Sequence, residues 1–280
     1  MDGTDDQGQK ILISTWILLV LSAAFLLARL YCKWTAHRGF WWDDHVLILS
    51  WLALLGTVLT TTWSVPHGLG QHESALAPTS LPPLSLAANL TATLSIVAAV
   101  WSKTSFALTL LRVTRGSPAR RALLWFIVVS ANVAMGLNAL FIWVRCLPVA
   151  RSWNSTVQGT CWPDKVYLAY GMFAAGYSAA TDFVLALLPW QMVWKLQMKG
   201  KEKVGVAVAM SMGIFAGVTS IVKTLEIPAL AAGDFTYNLT GLIIWGTAES
   251  AVTIMAASIP VLRTLFRDLR VSNRRRSNDH

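Results

Sequence analysis

The sequence predicts an all-α fold, a polytopic bundle of seven transmembrane helices, and three observations carry that prediction. Hydrophobic residues make up 55% of the chain and charged residues only 13%, far too little charged surface for a soluble domain of 280 residues. The apolar residues gather into seven runs, each of about twenty residues or more, the length needed to cross the hydrocarbon core of a bilayer as a helix. The basic residues sit in the short segments between those runs, on alternate sides.

Taken in order, the runs are Ile11–Tyr31, His45–Val65, Leu84–Leu111, Ala122–Val144, Val166–Met192, Val204–Leu225 and Leu239–Leu262. Six short loops join them, so no soluble domain is inserted. The organisation that follows is a short outward tail (1–10), a seven-helix membrane domain (11–265) and a basic cytosolic tail (266–280). The fourteen tryptophans cluster near the ends of the runs, as interfacial aromatic belts do. The first ten residues are acidic and the run behind them is too long for a signal-peptide core, so the first span is expected to stay as a signal anchor.

Lysine and arginine set the expected orientation. Arg29, Lys33 and Arg38 flank the first loop. Arg112, Arg115, Arg120 and Arg121 lie in the third, and Lys195, Lys199, Lys201 and Lys203 in the fifth. The tail carries Arg263, Arg267, Arg270, Arg274, Arg275 and Arg276. The opposite side holds only Lys10, Arg145, Arg151 and Lys165. The N-terminus is therefore expected outside or in a lumen and the C-terminus in the cytosol, at the plasma membrane or the endoplasmic reticulum. The net charge of +9 follows this distribution and points to anionic lipid rather than nucleic acid.

The fourth loop holds Cys146 and Cys161 on the outward side, where a disulfide forms and persists; it would pin a loop containing Trp153 across the mouth of the bundle. Cys32, on the other side, is expected as a free thiol or a site of reversible acylation. Asn154-Ser155-Thr156 is a glycosylation sequon in the same outward loop. The sequons at Asn89 and Asn238 lie at or inside helix ends, too near the bilayer to be good acceptors.

Ionisable residues inside a membrane are costly unless partnered, and so mark a functional hypothesis. They are Lys103, Asp182, Lys223, Glu226 and Glu249. Lys103 lies about 13 Å from the cytosolic end of its span at helical rise, and Asp182 and Glu249 lie deep in theirs, so the three compensate one another if they face inward. Lys223 and Glu226, three residues apart, are placed for a local pair. The polar network so defined also takes in Trp245. It either ties helices together, the reading preferred here, or presents a carboxylate that donates a proton to, or orients, a ligand between helices. Asp43 and Asp44 follow Trp41 and Trp42 at a helix start, where carboxylates cap free N–H groups; they are also within reach of Arg29 or Arg38. His67, His72 and Glu73 make a poor metal site, and no metal or cofactor is expected. The sequence has no phosphate-cradling loop, no nucleophile elbow and no Cys-x-x-Cys.

One ordered set of residues resembles a known family. It comprises Arg29 with Trp42-Asp43-Asp44, Gly68-Leu69-Gly70-Gln71-His72, and Lys103-Thr104-Ser105 leading to Arg112. Cys146-Leu147-Pro148 with Trp153 and Cys161 follows, then Asp182 with Pro189 and Leu196. Gly213-Ile214-Phe215-Ala216, Trp245, Glu249 and Ser258-Ile259-Pro260 complete it. Together they resemble the fungal rhodopsin-like integral membrane domain from about Arg29 to Leu265. The resemblance implies a seven-helix fungal membrane protein, akin to receptor-like pathogenicity proteins and to membrane proteins of secondary-metabolite clusters such as the satratoxin cluster. Retinal is not expected, because Lys103 and Lys223 are the only intramembrane lysines and neither is in the last span. The chain lacks the cysteine-rich extracellular domain and long tail of the larger receptor-like members, so it resembles the compact, cluster-associated type.

Three functions remain open. The first is a membrane protein linked to secondary-metabolite biosynthesis or to sensing a lipophilic small molecule, as receptor or accessory, with a cytosolic or pathway protein as a further partner. The second is an intramembrane cyclase or isomerase using Glu249 or Asp182 as general acid. Transport ranks last, since no internal repeat of the kind secondary transporters carry is evident.

Overall fold

The computed structural model describes residues 7–35, 39, 41–71, 76, 79–113, 118–195, 200–228 and 235–278. Arg38, His72, Glu73, Arg115, Leu196 and Lys199 lie outside the described residues. The seven runs become seven helices: α1 (Gly8–Thr35), α2 (Trp42–Ser64), α3 (Leu81–Val113), α4 (Pro118–Val144), α5 (Asp164–Lys195), α6 (Gly200–Glu226) and α7 (Phe235–Asn278). All seven are long and apolar enough to cross a membrane. Each extends a few residues past its apolar run except α7, which continues through the basic tail. At 1.5 Å per residue its 44 residues reach about 66 Å. Pro260 lies inside it, and no glycine or proline follows to stop it. The boundary expected at residue 265 thus falls within one continuous helix.

The helices pack as a ring in chain order, closed by α1 against α7, with α3 also touching α7 and α5 across the middle. The most enclosed element is α7: 78% of its membrane-length window is buried, against 22% for α4. Large apolar side chains point outward toward lipid, among them Val20, Leu27, Val129 and Phe215. The interior mixes an apolar cluster around Leu47, Leu54, Ala98 and Ile254 with many buried hydroxyls and charges. In lipid there is no hydrophobic drive between helices, so close van der Waals contact and internal polar bonds hold them. Two glycines one turn apart show this. A Cβ at Gly213 would lie 2.7 Å from Ala186 Cβ, and one at Gly217 would lie 2.8 Å from the Phe183 ring. Only glycine lets α6 approach α5 so closely.

One end of the bundle is tied by two short structures. After α2 a 3₁₀ turn (Val65–His67) leads to Gly68 and Gly70, both at positive φ. The Gly70 carbonyl accepts from Gln7 N–H at 3.4 Å, and its N–H donates to the Thr236 carbonyl at 3.4 Å. This loop therefore joins the starts of α1 and α7, and a Cβ on Gly70 would stand 2.9 Å from the Gly8 nitrogen. Between α4 and α5 two short strands, β1 (Cys146–Leu147) and β2 (Thr160–Cys161), pair antiparallel with Cys146 opposite Cys161. These two cysteines form the expected disulfide. Trp153 in the enclosed loop packs edge-on against Trp143 of α4, 6.0 Å between centroids. Cys32 is a free thiol, buried at 6% exposure, so acylation there is disfavoured by access.

Candidate functional site

Two clusters of charge lie inside the bundle. The first is toward the end opposite the disulfide. Arg29 and Lys33 are one turn apart on α1 and so share a face. Asp43 and Asp44 occupy the first turn of α2, where carboxylates complement the helix dipole. Arg29 Nε donates to Asp44 at 2.9 Å, and its Nη2 donates to Asp43 at 2.5 Å. Lys33 binds Asp44 directly and lies 3.5 Å from Asp43. Asp44 also caps its helix, accepting from Trp41 N–H at 3.1 Å. Arg29 Nη1 reaches the Ala257 carbonyl of α7, and Ser105 of α3 donates to the Asp43 carbonyl at 2.6 Å. Four helices meet on this group, and all four charged side chains are buried.

The second cluster is deeper, and the structure places Lys103, Asp182 and Glu249 together in it. Lys103 Nζ of α3 donates to Glu249 Oε1 at 2.6 Å and to the Ser178 carbonyl at 3.1 Å, and it also bonds the Ser178 hydroxyl. Ser178 in turn donates to Glu249 at 2.8 Å. Asp182, one turn along α5 from Ser178, lies 2.9 Å from Lys103 Nζ. Its Oδ2 has no hydrogen bond, so this contact is an ion pair off the bonding direction. Lys223 of α6 binds the other Glu249 oxygen. Both oxygens of Glu249, which is fully buried, are therefore taken by ammonium groups. Partnering of this kind is what makes buried charge tolerable, because removing one member strands the rest.

Two expected members of the network behave differently. Lys223 does not pair with Glu226. It turns inward to Glu249, because a buried carboxylate in low dielectric attracts it more strongly than a neighbour at the helix end. Glu226 instead lies against α7, 3.1 Å from where a Gly241 Cβ would stand. Trp245 is half-buried on α7 one turn before Glu249 and makes none of the quartet's hydrogen bonds. Among the described residues no three His, Cys, Asp or Glu side chains gather as metal ligands would.

Beside the second cluster, toward the disulfide end, is a cavity of about 130 Å³ between α3, α4, α5, α6 and α7. Its wall is mainly apolar, with Ile96, Met135, Ile142 and Leu168 among the lining side chains. Ser95, Asn138, Tyr167 and Lys223 supply polar atoms. Lys223 connects the two features, since it lines the cavity and holds Glu249. An apolar pocket with a few convergent polar groups is the usual form of a small-molecule site.

Sequence reasoning missed the first cluster as a buried unit, taking Lys33 only as an orientation signal. The available signal was two cations one turn apart followed, across a short loop, by two acids at a helix start. It also missed Ser178, Ser95 and Asn138, for which there was none: an uncharged polar residue in a span looks the same facing lipid, backbone or cavity.

Comparison with known proteins agrees with this architecture. The SAT4 family membrane protein of Emericella nidulans is 30% identical over 212 residues, covering 72% of this chain and 51% of that protein. Fugralins biosynthesis cluster protein 2 of Gibberella zeae is 28% identical, covering 51% of this chain and 35% of its own length. Satratoxin biosynthesis SC1 cluster protein 4 of Stachybotrys chartarum is 24% identical, covering 51% and 49%. The chain thus spans about half the length of these curated relatives, or less. The family model described as the fungal rhodopsin domain matches residues 28–268, a stretch that holds both charge clusters and every residue of the cavity, and the chain belongs to that family of multi-pass membrane proteins.

Proposed function

We propose that this protein accommodates a lipophilic small molecule in the cavity between α3 and α7, in a receptor-like or accessory role linked to secondary-metabolite biosynthesis. The observation that carries the reading is the cavity itself, a mainly apolar space whose lining lysine is bonded to the buried Glu249. The biosynthesis-cluster names of two relatives support the metabolic link. The catalytic alternative finds less support, because neither Glu249 nor Asp182 lines the cavity, and both Glu249 oxygens are bonded to lysines. The distribution of lysine and arginine supports an outward N-terminus, and with it an outward disulfide loop. Asn154 there is set for glycosylation, its side-chain oxygen accepting from the Thr156 amide at 3.1 Å and hydroxyl at 2.7 Å.

The test uses purified protein in nanodiscs, exposed to extract of a producing fungus and analysed for retained compounds by mass spectrometry. Gly171 lines the cavity, and a Cβ there meets nothing within 4 Å, so Gly171→Leu is chosen to narrow the space. A lipophilic compound retained by the wild type and lost from Gly171→Leu supports binding. Conversion of a compound by microsomes holding only this protein, lost in Glu249→Gln at equal protein level, would replace binding by catalysis.

A further inference from the structure

The ligand's chemical class can be narrowed further, on the premise that the cavity is a binding site. Among the described residues Lys223 is the only charged side chain in its lining. Its ammonium has three donors and, among the described residues, is bonded to one partner, Glu249. Behind it the buried ions balance, Lys103 and Lys223 against Asp182 and Glu249. A cationic ligand would meet Lys223 first and be repelled. An anionic ligand would leave an uncompensated negative charge in a low-dielectric interior, or would draw Lys223 away from Glu249 and strand that carboxylate. Glu226 does not line the cavity and, if counted, only adds to the objection to an anion.

A purely hydrocarbon ligand fits no better. Ser95, Asn138 and Tyr167 line the same space, and none of their side chains makes a hydrogen bond to a described residue. The Ser95 hydroxyl and the Lys223 stem both approach Gly246: a Cβ there would lie 2.8 Å from Ser95 Oγ and 3.8 Å from Lys223 Cδ. Donors that converge on apolar space without protein acceptors cost free energy unless a guest or water supplies oxygen. At about 130 Å³ the cavity is comparable to the roughly 150 Å³ engineered cavity that takes one benzene ring.

We propose that the cavity takes one ring of an uncharged, oxygenated lipophile, such as a cyclic ketone, lactone or alcohol, with its oxygen accepting from Lys223 and Ser95.

The experiment compares three probes on nearly one skeleton, toluene, acetophenone and benzoate, titrated at matched lipid-phase concentration into the full chain in nanodiscs. The readout is the methionine-methyl carbon resonance of Met135, a lining residue, assigned with Met135→Leu. Acetophenone is expected to bind about five- to tenfold tighter than toluene, the worth of one buried hydrogen bond, with benzoate silent. In Lys223→Met that preference is expected to fall to the share Ser95 alone supplies, about threefold, while toluene binding stays. Should that variant not fold, Ser95→Ala serves, and about a threefold loss of preference is expected there. Benzoate binding as tightly as acetophenone, equal binding of toluene and acetophenone, or an undiminished ketone preference in a folded variant would each overturn the proposal. Silence from all three probes on folded protein would overturn the premise instead, that the cavity binds a guest.

Discussion

Nη1 of Arg29, on the first helix, donates to the backbone carbonyl of Ala257, on the last, at 2.5 Å. Pro260 follows three residues later, and because proline has no N–H it withdraws one donor from this turn. A neighbouring side chain can supply donors to such a turn in a membrane helix. The same guanidinium holds Asp43 and Asp44, so one side chain joins α1, α2 and α7.

Replacing it is therefore expected to be among the most damaging changes in the chain. Arg29→Ala leaves two buried carboxylates facing Lys33 alone and should cost about 3–5 kcal/mol. Arg29→Lys should recover only part, since an ammonium cannot match a planar fork with three separate acceptors. Thermal unfolding in detergent, followed by fluorescence size-exclusion, measures both; an unfolding temperature unchanged in Arg29→Ala would contradict the assignment.

For Glu249 the expected phenotype is loss of folded protein. Glu249→Gln leaves Lys103 with Asp182 off the hydrogen-bond direction and leaves Lys223 without its partner. Adding Lys223→Met should restore part of the lost yield, because the stranded cation is gone. A double variant no better than the single one would show that the lysine and the glutamate are not energetically coupled.

Close approach of α6 to α5 gives a third expectation. Gly213→Leu places a side chain on Ala186, and Gly217→Ile places one on the Phe183 ring; each is expected to destabilise by about 1–3 kcal/mol as overpacking. Gly136→Ala is the control, since a Cβ there meets nothing within 4 Å and alanine favours a helix by about 1 kcal/mol. Melting temperatures that rank these three differently would place the contact elsewhere.

The disulfide closes a loop between residues 15 apart. Cys146→Ser is expected to cost about 3 kcal/mol by the loop-entropy account. Electrophoresis with and without reductant should show a mobility difference in the wild type only, and the variant should unfold at a lower temperature.

How much of this was legible beforehand depends on the kind of signal. A span needs only length and apolar content, so the existence of all seven helices and their approximate limits could be read directly. Charge inside a span is loud, and Lys103, Asp182 and Glu249 were found for that reason. Which partner a charge selects is quieter. Lys223 had a neighbour in sequence and took one in space, because a carboxylate deep in the bundle outweighs one at a helix end. Arg29 could be matched to Asp43 and Asp44 from the sequence, and the structure shows both pairs; the part Lys33 plays there was hidden by its position near a basic loop, where cations already have an explanation. The cavity had little sequence signal, since apart from Lys223 its polar lining is threonine, serine, asparagine and tyrosine spread over three helices.

The two charge clusters have different histories during synthesis. Arg29 and Lys33 meet Asp43 and Asp44 within a single hairpin, 10 to 15 residues apart, so the first two helices can leave the translocon already neutral. Lys103 cannot. Its hydrogen-bonded carboxylate on the last helix lies 146 residues ahead, with three more helices emerging first, and its ion-pair partner Asp182 arrives only with the fifth. Until then a lone ammonium must be sheltered by a chaperone, by the insertion machinery or by water. The quartet is therefore complete only when the seventh helix arrives, and a truncation before Glu249 should be recognised by the cell's quality control through Lys223, whose partner it lacks.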